Sequence, residues 1–298
     1  LDYNEKAQCP RWLQFLNEIT DHNRALITFL QRAAGYSLTG DTGDQSFFIC
    51  YGRGANGKTV FIETLLNALG ADYGINTRAN TILIKDRTNG VNNDVARLRG
   101  LRFVTVNEIP GRGRLDEAKI KEMTGGDTIT ARYLFHEDFS FKPEFKLWVR
   151  TNHKPIITGV DYGIWRRVKL IPFTVTIPQE KQDAKLQEKL REEWPGILAW
   201  AVMGCLVWQD EGLTDPDEVR AATQEYKREQ DTMQPFIDDR CEISKTESVK
   251  AADLYAAYRA WAETNGEKAM TSTAFGRQLS ERGYEKRRQG QAPALTYT

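Results

Sequence analysis

The chain is poor in the residues that build metal and disulfide frameworks. It has 3 His, and its 4 Cys (Cys9, Cys50, Cys205 and Cys241) stand far apart with no C-x-x-C pair. That excludes a visible zinc framework, and scattered cysteines read as reduced thiols of a cytoplasm-like compartment. Charge of one sign is also lacking. The 41 Lys and Arg balance the 41 Asp and Glu, so a nucleic-acid surface has to be a local patch and not a global field. Long apolar runs are missing too. The most apolar one, ILAWAVMGCLVW from Ile197 to Trp208, is twelve residues, too short for a bilayer and suited to a buried core helix. The start, LDYNEKAQCPRW, is polar and shows no signal-peptide pattern. It begins with Leu, which raises the expectation of a fragment of a longer protein. There is no internal repeat and no low-complexity tract.

What is present is an ordinary globular composition, 40% hydrophobic and 28% charged over 298 residues, enough for about two domains and a sizeable core. Trp12, Phe15, Leu16 and Ile19, then Leu26, Ile27, Phe29 and Leu30, recur at helical spacing. They predict an N-terminal helical segment over 1–44, closed by the turn cluster Leu38–Asp44. From Phe47 the pattern changes to short apolar runs: FFICY (47–51), TILI (81–84), LRFVTV (101–106), FKLWV (145–149) and VKLIPF (168–173). These predict an α/β core over 45–178 with a mainly parallel sheet. The alternating DTITARYLFHEDFSFKPEF between the third and fourth runs predicts an inserted hairpin. A helical segment follows over 179–231. After a linker-like change near Thr232–Pro235, two helices and a strand–turn–strand over 232–298 resemble a winged helix-turn-helix.

The first run leads into GRGANGKT, where Gly52, Gly57, Lys58 and Thr59 satisfy G-x-x-x-x-G-K-[ST]. Glycines let backbone N–H groups curl around phosphate oxygens, the lysine reaches the β and γ phosphates, and the Thr59 hydroxyl is placed for Mg²⁺. The stretch Gly52, Arg53, Gly54, Ala55, Asn56, Gly57, Lys58, Thr59 and Val60 is therefore the candidate ATP site, and the helix after it aims its N-terminal dipole at the same phosphates. Such a loop needs an acidic residue at the end of a neighbouring strand. LRFVTVNE supplies Glu108, a candidate general base and metal ligand. Asn107 stands where many such enzymes have Asp, which weakens direct metal contact there. FKLWVRTN ends in Asn152, placed either to hold water or touch the γ phosphate, or simply to make a turn. Arg166 and Arg167, before the fifth run, form either a finger pair for transition-state charge or a surface ion pair.

Taken together, GRGANGKTVF, RFVTVNE, KEMTGGDTITAR, FKLWVRTNHKP and GIWRRVKLIPF, in this order and at compact spacing, resemble a superfamily 3 DNA helicase. The resemblance is to the helicase part of phage and plasmid primase–helicases, a branch shared with the poxvirus primase–helicase, and covers about residues 10–230. It implies a P-loop AAA+-type ATPase core using ATP and Mg²⁺ and a hexameric ring that unwinds forked DNA by translocating on single strands. It also implies a primase domain or partner outside the chain and a cytoplasmic setting. By the same resemblance Lys121–Arg132 match the motif special to the superfamily, Asn152 the sensor and Arg166–Arg167 the finger region. The hairpin would face the ring channel, with Phe135 and His136 near its tip against phosphate and sugar. Glu137 and Asp138 would repel phosphate, which leaves Arg132 and Lys142 as alternative DNA contacts. In the C-terminal unit Phe275 and Leu279 are expected to face a core, with Arg277, Gln278 and Glu281 outward. Arg287 and Arg288 would sit in a basic wing that binds DNA or a protein partner. A nucleotide-gated origin-binding initiator without strong unwinding is the alternative function. A small-molecule kinase leaves the sensor Asn, the arginine pair and the hairpin without a role.

Overall fold

The computed structural model describes residues 3–84, 93–111, 113–159, 161–244, 247–289 and 294–297. In chain order the elements are α1 (Pro10–Thr20), α2 (Arg24–Tyr36), β1 (Phe47–Tyr51), α3 (Lys58–Leu69), β2 (Gly74–Thr77), α4 (Asn93–Ala96), β3 (Phe103–Asn107) and α5 (Glu117–Thr124). Next come β4 (Ile129–Arg132), β5 (Asp138–Phe141), β6 (Lys146–Thr151), α6 (Tyr162–Trp165), β7 (Val168–Pro172), α7 (Leu186–Glu192), α8 (Trp194–Glu211) and α9 (Asp217–Gln230). The chain closes with α10 (Gln234–Arg240), β8 (Val249–Lys250), α11 (Ala251–Thr264), α12 (Ser272–Glu281), β9 (Lys286–Gln289) and β10 (Ala294–Tyr297). Two compact units result: Leu1–Ile157 with Arg166–Tyr226, and Thr158–Trp165 with Lys227–Thr298.

The first unit is built on a five-stranded sheet in the order β2-β3-β6-β1-β7, and every pair in it is parallel. Strands buried on both faces explain why the runs are continuously apolar. Phe48, Cys50, Phe103, Trp148 and Ile171 face one core together with Trp12 and Phe15 of α1, Phe29 of α2, Phe61 of α3 and Trp200 of α8. Trp148 stacks on Phe48 with ring centroids 4.4 Å apart, lies 5.6 Å from Phe103, and donates its indole N–H to Ser37 Oγ at 3.0 Å. The N-terminal helices thus pack on the sheet itself. Glu193 holds the start of α1, accepting from the backbone N–H groups of Arg11 and Trp12 at 2.9 Å each.

Two readings of the sequence are corrected. TILI is not a strand: Ala79–Thr81 form a 3₁₀ turn and Leu83 makes a single bridge to Leu115, while the edge strand is the less apolar GINT of β2. A four-residue apolar run is buried equally well as a turn, and periodicity cannot separate the two. Thr232–Pro235 is no linker. It opens α10 with Pro235 in the first turn, where proline is tolerated, and Met233 is fully buried. The core helix α8 buries Ile197, Ala199, Trp200 and Ala201 but leaves Met203 and Leu206 half exposed. Among the described residues, no helix is long and apolar enough to cross a membrane.

In the second unit Phe236, Ile237, Tyr258, Trp261, Phe275 and Leu279 make a separate aromatic-rich core. Beside it lies an antiparallel sheet in the order β8-β10-β9. Thr271 caps α12 by accepting from the Ala274 N–H. Phe275 and Leu279 face the core as expected. Gln278 does not face out: it is 9% exposed and donates to the Thr158 carbonyl at 3.1 Å, because α12 is covered on more than the narrow stripe its apolar residues mark.

Two tests follow from the first unit's packing. A Cβ on Gly35 would stand 2.0 Å from the Cys205 backbone N, where α2 crosses α8. Gly35→Val should therefore destabilise by about 3 kcal/mol in thermal unfolding, while Gly126→Ala, with no atom within 4 Å of its new Cβ, should be near neutral. Lys146, 2% exposed at the start of β6, donates to the Thr39 carbonyl at 2.5 Å. Burial, with Asp41 opposing it and Arg102 assisting, pushes its ammonium down to about 7. Between that value and the ordinary 10.5 the unfolded chain binds the proton and the folded one does not, so this residue's contribution to stability rises with pH. Melting temperatures from pH 7 to 9 should show Lys146→Met losing ground to the natural chain as pH rises, whereas parallel curves would contradict the assignment.

Candidate functional site

Because every strand of the sheet runs the same way, the residues after β1, β3 and β6 emerge on one edge. The register pairs Tyr51 with Thr151 and Asn107 with Arg150, which sets Gly52, Glu108 and Asn152 side by side. They meet at a cleft of about 240 Å³ lined by Gly54–Val60, Glu108, Arg150, Thr151 and Asn152. Binding clefts favour this carboxyl edge of parallel sheets.

The loop's shape follows from its residue types. Gly57 has φ +82°, and a Cβ there would stand 2.3 Å from Ile19 Cγ2, so glycine is required by both backbone and packing. A Cβ on Gly52 would meet the Phe173 carbonyl at 2.2 Å. Asn56 is buried and donates to that same carbonyl at 3.1 Å, tying the loop to the end of β7. Ala55 adopts a left-handed φ of 57° and accepts from the Ile177 N–H at 2.7 Å.

Lys58, first residue of α3, is 5% exposed. Its Nζ donates to Gly52 O at 2.6 Å, Asn56 Oδ1 at 2.9 Å, Asn152 Oδ1 at 3.1 Å and Arg53 O at 3.2 Å. All four acceptors are neutral oxygens. Burial holds its pKa below the ordinary value; Cys50 beneath it pulls the other way and the Arg150 guanidinium adds to the lowering. Thr59 is exposed into the cleft. Glu108 also reaches it from a strained left-handed backbone, φ 44°, with its N–H donating to the Arg150 carbonyl at 3.0 Å. Such strain costs on the order of 1–3 kcal/mol and gathers at functional positions. Thr59 and Glu108 both line this cleft with side-chain oxygens, and no cluster of three or more His, Cys, Asp or Glu that could hold a metal ion occurs among the described residues.

Arg150 escaped the sequence reading. It lies two residues before Asn152, lines the cleft and pairs with Glu63 of α3 at 2.9 Å. The signal was a second charged residue, after Lys146, inside the otherwise mostly apolar strand FKLWVRT.

Arg166 and Arg167 are not brought to this cleft. They precede β7, whose Val168 pairs with Phe47 at the start of β1, so they stand at the opposite edge of the sheet, about 17 Å away at 3.3 Å per residue. Arg166 is exposed and its guanidinium contacts Gln45 Oε1. Arg167 is 8% exposed and its Nε donates to Thr124 Oγ1 at 3.2 Å.

The hairpin β4–β5 pairs Ile129 with Phe141 through Arg132 with Asp138. Phe135 at its turn is 95% exposed with φ 64°; His136 and Lys142 are exposed as well. Arg132 pairs across the hairpin with Asp138 at 3.6 Å. Tyr133 stacks on Phe139, which in turn lies under the Arg99 guanidinium at 5.4 Å. Arg277 is exposed and pairs with Glu281 at 3.7 Å. The side chains of Arg287 and Arg288 lie outside the described residues.

The profile of a family of unknown function, DUF5906, matches residues 50–167, and that of poxvirus D5 protein-like chains matches residues 228–295. A protein of Acanthamoeba polyphaga mimivirus named as a helicase, L207/L206, is 31% identical over 248 residues, 76% of this chain and 26% of its own length. Protein 022R of Frog virus 3, also named as a helicase, is 28% identical over 80% of this chain and 26% of its own length. C962R of African swine fever virus, named as a primase, is 25% identical over 72% of this chain and 24% of its own length. The chain thus spans about a quarter of these relatives. The solved C-terminal region of NrS-1 superposes with a TM-score of 0.61 at 12% identity, covering 100% of this chain and 79% of that one, a likeness of fold. The chain is a mixed α/β protein with a parallel sheet. It is a relative of the poxvirus-type primase–helicase family.

The two arginines separate by urea unfolding. Arg167→Ala should cost about 1.5–3 kcal/mol by stripping a buried charge-assisted hydrogen bond, and Arg166→Ala should fall within about 0.5 kcal/mol of the natural chain.

Proposed function

We propose that the chain is the motor part of a primase–helicase: a P-loop AAA+-type ATPase that assembles as a ring and drives single-stranded DNA through its channel.

 ATP and Mg²⁺ are its fuel, the second unit is a winged helix, and single-stranded or forked DNA is its track. The observation that supports this most is Lys58: a buried ammonium at a helix N-terminus with only neutral acceptors, set between Glu108 and Asn152. Cation, helix dipole and loop N–H groups all favour an anion at that place. A triphosphate would take over the Lys58 donors and bring the ammonium back toward its ordinary pKa. Mg²⁺, held by Thr59 and Glu108, would neutralise phosphate charge.

Each remaining residue has a task in that reaction. Glu108, projected into the cleft, takes the proton of the attacking water. Asn152 gives its Oδ1 to Lys58, which leaves Nδ2 to donate to a γ-phosphate oxygen. Arg150, restrained by Glu63, adds a second positive charge. Arg166 cannot serve the cleft of its own chain from the far edge of the sheet, so it serves the cleft of the next copy; Arg167 stays with Thr124 as a structural group. Phe135 and His136 present an aromatic face and a polar edge to the DNA, and Arg132 and Lys142 flank them. Arg277, with Arg287 and Arg288, is assigned to DNA contact by the second unit. The setting is the cytoplasm in which the DNA is copied.

Lys58→Ala should lower ATP turnover by at least about 10²-fold. Phe135→Ala should keep basal turnover and lose its stimulation by single-stranded DNA. Mixing Lys58→Ala with Arg166→Ala chains should restore part of the turnover that each lacks alone. An assembly that hydrolyses ATP but never displaces a strand would favour the initiator alternative.

A further inference from the structure

Arg150 is an unusual residue for an inner strand. β6 lies between β3 and β1 in the sheet, and Arg150 stands beside Asn107 on one side and Cys50 on the other. Its side chain is 16% exposed and lines the cleft around Lys58. Among the described residues that line this cleft, the charged ones are Lys58, Glu108 and Arg150. Arg150 is near enough to lower the pKa of the Lys58 ammonium, so both cations act on the same small volume.

The guanidinium is nevertheless drawn toward α3. Its Nη1 donates to Glu63 Oε1 at 2.9 Å, and among the described residues it has no second hydrogen-bond partner. A guanidinium carries five N–H donors in a rigid fork, so the Nε and Nη2 donors are left over. Glu63 follows Thr59 by four residues, which places the two on one face of α3, about 6 Å apart along its axis. Lys58, the loop N–H groups and the helix dipole favour an anion at the first turn; Glu63 holds the arginine one turn further on. At 40% exposure Glu63 has water to turn into, whereas the mostly buried Arg150 needs an anionic partner.

We propose that Glu63 competes with the terminal phosphate for Arg150: the guanidinium exchanges the carboxylate for phosphate oxygens when a triphosphate binds, and returns to it when the phosphate leaves. The proposal rests on the phosphate-loop reading above and adds a regulator to that site. Carboxylate and phosphate suit the same planar fork, so the exchange swaps one charge-assisted pair for another. Breaking the ion pair offsets part of the gain from the new contact, which weakens the hold on triphosphate. A motor that has to release its nucleotide at every step is served by such a brake.

The test is calorimetric titration of the whole chain with inorganic tripolyphosphate, in EDTA so that no metal intervenes, with Lys58→Ala as the control for the loop. Glu63→Gln keeps the size of the side chain and removes its charge; it should tighten binding about three- to tenfold. Arg150→Gln should weaken binding about tenfold. The double variant should bind as Arg150→Gln does, because a competitor has no effect once the group it competes for is gone. In an Arg150→Lys background, which keeps the charge and loses the fork, Glu63→Gln should give a smaller gain than in the natural chain. A gain that persists in full in the Arg150→Gln background would reveal repulsion at a distance and overturn the exchange. Weaker binding in Glu63→Gln would make Glu63 a support for Arg150 and overturn it too, as would an unchanged affinity. Failure of the natural chain and Lys58→Ala alike to bind tripolyphosphate would instead overturn the phosphate-loop reading.

Discussion

The buried ammonium of Lys58 is the constraint around which the first unit is arranged. It closes a ring of four oxygens, three from the loop itself and one from Asn152 at the end of β6, and so joins two neighbouring strands at their carboxyl ends. A cation taken out of water needs such a cage, and neutral dipoles alone only partly replace hydration. Arg150, paired with Glu63 at 2.9 Å, places a second cation nearby. That combination, a preformed cage around a buried cation, is what the proposed anion site rests on.

Everything that holds the cage is at some remove from it. Gly57 turns with φ +82° directly against Ile19 and Phe15 of α1, which leave no room for a Cβ. α1 is held in turn by Glu193 at its first turn and by the stacking of Trp12 on Phe61. The parallel register then divides the sheet into two functional edges: the carboxyl edge carries the loop, Glu108 and Asn152, and the amino edge carries Arg166, Arg167 and Lys146. A group on one edge is within reach of the other only when a second copy of the chain supplies it.

Much of this was legible in the sequence, for identifiable reasons. The strand–GRGANGKT–helix unit is a local motif whose glycines, lysine and hydroxyl residue each have a fixed chemical purpose, and the parallel sheet followed from continuous apolar runs. The hairpin showed itself by alternation. What was not legible depended on tertiary placement. TILI and GINT are both four residues long, and only packing decides which pairs at the sheet edge. Gln278 reads as a surface residue on a helical projection but finds the Thr158 carbonyl. Arg150 carries no motif of its own, and its partner Glu63 is far away in sequence. Arg166 and Arg167 are chemically identical neighbours, and only burial tells them apart.

The claim that ties these parts together is that one chain holds the phosphates while another supplies the finger. It is tested most directly by measuring ATP turnover per chain as the protein is diluted, with the mass of the assembly followed in parallel. The account predicts that turnover per chain collapses as the ring dissociates, and that single-stranded DNA shifts the collapse to lower concentration. Constant turnover per chain in a sample that is wholly monomeric would contradict it.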